Sequence, residues 1–313
     1  MELTYSSITI SALAVLGGLT LLVAGGEILV SGAVKLASRL GMNALLIGLT
    51  VVAFGTSTPE LFVSLTASHA GLPEIMLGNV VGSNIANMGL ILAISALISP
   101  LAIHYSRLRF ELLSLLGVGL LTCAFAWYGA MPRLGGLIFI IILISYTYLS
   151  YQNPNHKNNE GESEEPTSST IIAILCLAGF IGLALGSDLF IAGAKDIAIH
   201  FGVPPLIIGL TMAAVGTSLP ELASCISAIR RNEGDLLVGN IIGSNLFNLL
   251  MVMGGTAMVY PFTFPQDILW RDLPVMVLFS GLLIPQLRFR HRLTRLNGAF
   301  LLALYAAYLL FLI

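Results

Sequence analysis

A fourteen-residue string occurs twice in this chain. Residues 48–61 read GLTVVAFGTSTPEL and residues 209–222, which begin 161 positions later, read GLTMAAVGTSLPEL, with ten of fourteen positions identical. The spacing extends beyond the string, because Gly41, Asn79 and Pro100 each have an identical residue 161 positions further on. The sequence therefore predicts two related halves with the same succession of elements.

Apolar stretches fill most of both halves. Hydrophobic residues make up 57% of the 313 residues, charged residues only 10%, and the mean hydropathy is +0.94, which leaves too little polar surface for a soluble globule. Runs of roughly 20 apolar residues are long enough to cross a bilayer. Ten such spans are predicted, near residues 8–34, 43–68, 75–99, 109–130, 133–151, 170–199, 205–229, 236–260, 272–287 and 295–313.

Five predicted spans lie in each half, and an odd number forces the second half to enter from the opposite side of the membrane. This pattern predicts inverted repeats, the architecture of many secondary transporters. The first repeat is expected over residues 1–151 and the second over residues 169–313, with a short polar linker at 152–168 that carries four glutamates and two prolines. With the amino terminus placed outside, the cytoplasmic loops carry eleven Lys and Arg residues and the outer loops carry three. The sequence therefore predicts that both termini lie outside and that the linker is cytoplasmic.

Several classes of protein are excluded by composition. A net charge of −2 gives no indication of nucleic-acid binding. Cys123, Cys176 and Cys225 lie inside spans without metal or redox spacing, so neither a disulfide framework nor a zinc site is expected. The first span lacks a basic leader and a clear cleavage site, which argues against a removable signal peptide. An intramembrane protease built on Ser57 or Asp188 has no suitable partner motif, so no catalytic residue is predicted.

Each copy of the string places a proline in the middle of a span. Pro59 has no amide hydrogen for the carbonyl of Gly55, and Pro220 repeats this relation with Gly216, so both helices are expected to break or kink. Irregular backbone at that depth is tolerated only where it is buried in protein or lines a wet cavity. The second and seventh helices are therefore expected to face one cavity.

Oxygen-bearing side chains surround these prolines. Thr56 and Glu60 are one helical turn apart, and the later segments GNVVGSNIAN (78–87) and GNIIGSNLFN (239–248) place a serine one turn before an asparagine. Hydroxyls and amides alone often only join membrane helices, but a carboxylate at mid-span costs roughly 3 kcal/mol and indicates function. The candidate ligands are Thr56, Ser57, Glu60, Ser83, Asn87, Thr217, Ser218, Glu221, Ser244 and Asn248.

This donor set contains only oxygen, which suits a hard cation. Calcium accepts six to eight oxygens in irregular geometry, whereas magnesium requires a stricter octahedron. Calcium therefore fits better, and sodium could use the same oxygens. A second acidic pair, Glu27 and Asp188, also corresponds at 161 positions, and a structural role is preferred for it, either bonding to broken-helix backbone or acting as entrance charges.

The duplicated GTSxPE and GNxxGSNxxN segments resemble the α-repeats of the cation/calcium antiporter superfamily, specifically its sodium/calcium exchanger branch, and the resemblance covers essentially the whole chain. It implies an all-α membrane protein in which two inverted five-helix repeats place broken helices 2, 3, 7 and 8 around a central cation site, while the long helices 1 and 6 slide across them. The implied calcium ligands are Glu60 and Glu221 with the carbonyls of Thr56 and Thr217; the implied sodium ligands are Ala53, Ser57 and Ser83 in one half and Ala214, Ser218 and Ser244 in the other, with Asn87 and Asn248 completing the middle.

Two departures within the superfamily bear on the coupling ion. Some members, including the potassium-dependent branch, carry an aspartate at the position of Asn248, so potassium dependence is not expected here. Proton-coupled members typically have GNxxE where this chain reads GNVVG and GNIIG. The sequence thus predicts sodium-for-calcium antiport in the plasma membrane, without a cofactor and with the ions as substrates. A proton-coupled cation antiporter and a passive cation channel remain open, and a monomer is compatible with the pattern.

Overall fold

The computed structural model describes residues 3–5, 7–102, 105–153, 167–203, 216–290 and 292–312. These residues are helical apart from turns and four short strands. The helices are α1 (Ile8–Leu40), α2 (Ala44–Ile47), α3 (Ala53–Thr56), α4 (Thr58–His69), α5 (Pro73–Ala86), α6 (Leu92–Ile98), α7 (Tyr105–Tyr128), α8 (Arg133–Gln152), α9 (Ser169–His200), α10 (Leu219–Arg230), α11 (Gly234–Phe247), α12 (Gly254–Val259), α13 (Leu273–Arg290) and α14 (Arg295–Leu312). The strands are β1 (Leu101–Ala102), β2 (Ala130–Met131), β3 (Phe262–Thr263) and β4 (Arg292–Leu293), and π-helical turns cover Gly48–Val52, Asn87–Ile91, Asn248–Met253 and Ile268–Asp272.

Nine stretches within the described ranges are long and apolar enough to cross a bilayer. They agree with nine of the predicted spans, and the protein is a helical, multi-pass membrane protein. The seventh predicted span, residues 205–229, begins outside the described residues, and its described part includes α10. The first span is longer than predicted, whereas the sixth agrees with its prediction within one residue at each end. α1 has 33 residues and is therefore about 50 Å long, which exceeds a hydrocarbon core of about 30 Å and requires tilting or protrusion.

The two long helices, α1 and α9, pack against each other through glycines. A Cβ atom added to Gly18 would lie 2.5 Å from the backbone nitrogen of Phe190, and one added to Gly179 would lie 2.7 Å from the Cα atom of Leu29. Such distances leave no room for a side chain, so the two backbones touch directly, as small residues allow in membranes. At the far end of α9, Asp196 accepts hydrogen bonds from the backbone amides of Thr4 and Tyr5 at 2.7–2.9 Å.

The second span changes geometry at the duplicated motif. α3 ends at Thr56, Ser57 adopts φ −85° and ψ 0°, and α4 begins at Thr58 with Pro59 in its first turn. Proline is favoured at that position because its missing amide hydrogen would have no intrahelical acceptor there. α10 begins in the same way at Leu219, directly before Pro220. Each motif glutamate consequently lies in the first turn of a helix.

The third and eighth spans continue through π-helical turns. α5 joins α6 through Asn87–Ile91, and α11 joins α12 through Asn248–Met253. Each turn begins at a candidate ligand, Asn87 or Asn248. A π-helical turn widens the backbone locally and is frequently found at functional sites.

Two small antiparallel sheets join opposite halves of the chain. β1 pairs with β4, with Leu101 opposite Leu293, and β2 pairs with β3, with Met131 opposite Phe262. Each sheet takes one strand from each half. The strands follow the third, fourth, eighth and ninth spans.

Candidate cation site

Two buried carboxylates form the centre of the candidate site. Glu60, in the first turn of α4, and Glu221, in the first turn of α10, are both 0% exposed. None of their carboxylate oxygens accepts a hydrogen bond from the described part of the chain, and the two groups interact electrostatically. Helix amino termini favour negative charge, but two buried carboxylates without donors remain costly unless a cation enters.

The first motif contacts the second half of the chain through α11. The Thr56 hydroxyl lies 3.2 Å from the Ser244 hydroxyl and 3.2 Å from the amide oxygen of Asn240. The neighbouring Ser57 hydroxyl lies 3.5 Å from the carbonyl of Ser244. Three of the predicted ligands therefore meet at the end of α3.

The second motif makes the corresponding contact with α5. The Thr217 hydroxyl lies 3.3 Å from that of Ser83 and donates to the amide oxygen of Asn79 at 3.2 Å. Thr217 also neighbours the Glu60 carboxylate, as Thr56 neighbours that of Glu221, although neither hydroxyl meets hydrogen-bonding geometry with the carboxylate. Each glutamate therefore faces the threonine of the opposite half.

Further candidate ligands have polar atoms without partners. Asn87 donates to the amide oxygen of Asn245 at 3.0 Å, while its own amide oxygen accepts no bond from the described residues. Both amide atoms of Asn248 and the Ser218 hydroxyl also lack a partner there. Among the described residues no group of three or more His, Cys, Asp and Glu side chains could hold a metal ion, so any cation would use mainly hydroxyl, amide and backbone oxygens beside the two glutamates.

Two alanines complete the predicted set. Ala53 is buried, at 0% exposure, in the first position of α3. Ala214 lies outside the described residues.

Other polar groups have different partners from those expected. Glu27 forms ion pairs with Arg230 at 3.3 Å and Arg231 at 2.9 Å. It therefore joins α1 to the end of α10, and within the described residues it pairs with these two arginines and not with broken-helix backbone. Asp188, its counterpart, is exposed on α9. The carbonyl of Gly216, expected to be freed by Pro220, accepts a hydrogen bond of 2.8 Å from Ser187 of α9.

Four polar side chains next to the site were not among the predicted ligands. Asn79 donates to the Ser64 hydroxyl at 3.0 Å and to the carbonyl of Glu60 at 3.2 Å. Asn240 donates to the Ser224 hydroxyl at 3.0 Å, and Ser224 donates to the carbonyl of Glu221 at 2.9 Å. The sequence signal for the asparagines was present, because both follow a glycine in the duplicated GN pair.

Comparison with known proteins gives consistent matches along the whole chain. The family model described as sodium/calcium exchanger protein matches residues 10–152 and 171–313. The sodium/calcium exchanger MaX1 of Methanosarcina acetivorans is 30% identical over 344 residues, covering 96% of this chain and 98% of that one. The inner membrane protein YrbG of Escherichia coli is 34% identical over 273 residues, covering 84% of each. A solved structure of the sodium-calcium exchanger NCX_Mj, soaked with 10 mM Na+ and zero Ca2+, aligns with a TM-score of 0.86 at 30% identity and covers 97% of this chain and 99% of that one.

Proposed function

Since the chain belongs to the sodium/calcium exchanger family, we propose that it exchanges sodium for calcium across the membrane by alternating access. Members of this family are transporters and not enzymes, and calcium and sodium are their substrates. Sodium is favoured as the coupling ion because neither GN segment carries the glutamate of the proton-coupled pattern. The names of MaX1 and NCX_Mj support the same assignment.

One observation carries the proposal: Glu60 and Glu221 are buried together, and no described residue donates a hydrogen bond to any of their carboxylate oxygens. Two ionised carboxylates hold a charge of −2, which one calcium or two sodium ions neutralise. A third sodium would leave +1, so a three-for-one exchange moves one net charge per cycle. Such a charge is worth about 2.3 kcal/mol per 100 mV of membrane potential, and inward sodium flow would expel calcium.

The proposed ligand set follows the two motifs. Glu60 and Glu221, with the carbonyls of Thr56 and Thr217, hold calcium in the middle, where Asn87 and Asn248 complete the site. The contacts between Thr56 and Ser244 and between Ser83 and Thr217 support it, because each brings predicted ligands from opposite halves together. The proposed sodium ligands are Ala53, Ser57, Ser83, Ala214, Ser218 and Ser244.

The proposed architecture is two inverted five-helix repeats, residues 1–151 and 169–313, with interrupted helices around the site. The strand pairs support this relation, since β1 and β3 correspond at 161 positions and each pairs with a strand of the other half. The helix starts directly before Pro59 and Pro220 support it as well. In the proposed topology the linker at 152–168 is cytoplasmic and both termini lie outside the plasma membrane.

Transport by purified protein in liposomes tests the function. Sodium-loaded vesicles should accumulate external calcium, and collapsing the sodium gradient should stop uptake. Glu60→Gln and Glu221→Gln should each abolish exchange, because each halves the charge available to the ion. Glu74→Gln, in the first turn of α5 and outside the site, is the matched control and should transport normally.

Three outcomes would contradict this function. Uptake that ignores sodium but follows a pH gradient would indicate proton coupling. Ion current without any counter-ion on the other side would indicate a channel. Wild-type rates in either glutamate variant would refute the site.

A further inference from the structure

Asn79 and Asn240 each hold a threonine that comes from the other half of the chain. Asn79 on α5 accepts the hydrogen of Thr217 at 3.2 Å, and Asn240 on α11 accepts that of Thr56 at 3.2 Å. Both asparagines are buried, at 6% and 1% exposure. The two bonds cross between the halves beside the glutamate pair.

The amide of Asn79 can face only one way. Its nitrogen lies 3.2 Å from the backbone carbonyl of Glu60, which can only accept a hydrogen bond. The amide oxygen therefore points to Thr217, and because that oxygen has no hydrogen, the threonine must be the donor. The contact between Ser83 and Thr217 must then take its hydrogen from Ser83.

The amide of Asn240 is fixed by a short relay. Ser224 gives its hydrogen to the carbonyl of Glu221 at 2.9 Å, so it can only accept from the Asn240 nitrogen at 3.0 Å. The amide oxygen of Asn240 consequently faces Thr56. Two other acceptors lie within reach of the Thr56 hydroxyl, the Ser244 hydroxyl at 3.2 Å and the carbonyl of Ala53 at 3.5 Å, and neither is a carboxylate oxygen.

These directions determine what each threonine offers to the glutamate beside it. A hydroxyl has one hydrogen and two acceptor lone pairs. If the hydrogen were free, it would turn to the carboxylate and compete with a bound cation. Because the asparagine takes that hydrogen, the threonine oxygen presents only lone pairs to the space that it shares with the carboxylate.

We propose that Asn79 and Asn240 are positioning residues that commit the hydroxyl hydrogens of Thr217 and Thr56 away from the carboxylates, so that the shared space favours a metal cation. This inference rests on the proposed function for the identity of the cations. Neither asparagine contacts the ion in this proposal; each acts through a threonine of the opposite half. It also accounts for the asparagine in both GN pairs, since aspartate could accept the threonine hydrogen but could not donate to the carbonyl of Glu60 or to Ser224.

Isothermal titration of the purified protein with calcium chloride, and separately with sodium chloride, tests the proposal. Asn79→Ala should weaken calcium binding about 2- to 10-fold, the range expected for loss of one hydrogen bond. Adding Thr217→Val to Asn79→Ala should weaken binding no further, because the hydroxyl that competes with the ion has been removed. The proposal would be overturned if the double variant bound calcium clearly more weakly than Asn79→Ala, or if Asn79→Ala bound calcium with wild-type affinity.

Controls separate this effect from general damage. Asn297→Ala removes an asparagine–threonine bond of the same kind, to Thr294 at 2.6 Å, far from the site and should bind calcium as the wild type does. If these variants fail to fold, Asn240→Ala alone and combined with Thr56→Val gives the same comparison in the other half. A wild-type protein that binds neither ion would refute the proposed function itself, whereas normal wild-type binding with a further loss of affinity in the double variant would refute only the role of the asparagines.

Discussion

Replacing Gly179 by alanine should separate the two long helices. The added Cβ would lie 2.7 Å from the Cα, Cβ and nitrogen atoms of Leu29 on α1. Non-bonded carbon atoms pack best at about 3.5–4.0 Å, so the helices would have to move apart by about 1 Å along a contact that runs the length of both. Such overpacking typically costs about 1–3 kcal/mol.

Thermal unfolding in detergent measures this cost, with Gly117→Ala as the matched control. Gly117 lies within α7, and a Cβ there would meet nothing within 4 Å. Replacing it should leave the melting temperature unchanged or raise it, because alanine loses less backbone entropy in a helix by about 0.5–1 kcal/mol. Gly179→Ala should melt clearly below both the wild type and this control. If it melted at or above Gly117→Ala, the direct backbone contact between α1 and α9 would be refuted.

Three further substitutions test polar contacts made by residues outside the proposed ligand set. Glu27→Gln removes ion pairs whose side chains are partly exposed, so it should cost only about 0–1 kcal/mol; a fall in melting temperature as large as that of Gly179→Ala would contradict this. Ser187→Ala deprives the Gly216 carbonyl of its donor, at a cost of about 1 kcal/mol, and should slow sodium-driven calcium uptake in liposomes, with Ser187→Thr restoring it. Equal rates in all three proteins would show that the bond has no part in transport. Tyr308→Phe removes a 2.9 Å bond to Asp272 and should lower the melting temperature while leaving uptake intact; an unchanged melting curve would count against that bond.

The spans could be predicted because hydropathy and length act locally along the chain. Nine of them lie close to the predicted residues, and α4 begins directly before Pro59. The last turns of α1, beyond residue 34, were not predicted, since charged residues such as Lys35 ended the apolar run, whereas the prediction for α9 was within one residue at each end. Helical hydrogen bonding continues past such residues when a neighbouring helix covers the backbone.

The partners of the polar groups depended on how the helices are rotated against one another. Ser187 reaches the carbonyl of Gly216 because of the rotation of α9, which no local pattern records. Glu27 likewise meets two arginines that are more than 200 positions away in the chain. The asparagines at 79 and 240 were visible as a repeated pair, but their role required the direction of every hydrogen bond around them.

The two strand pairs distinguish spans whose ends are joined by backbone hydrogen bonds from spans whose ends are not. β1 with β4 and β2 with β3 fasten the ends of the third, fourth, fifth, eighth, ninth and tenth spans across the halves. Within the described residues, no strand pairing involves the chain next to the first, second, sixth or seventh span. A rearrangement that preserves this backbone pairing therefore keeps the linked ends of those six spans together, whereas the two long helices, α1 and α9, can shift without breaking it.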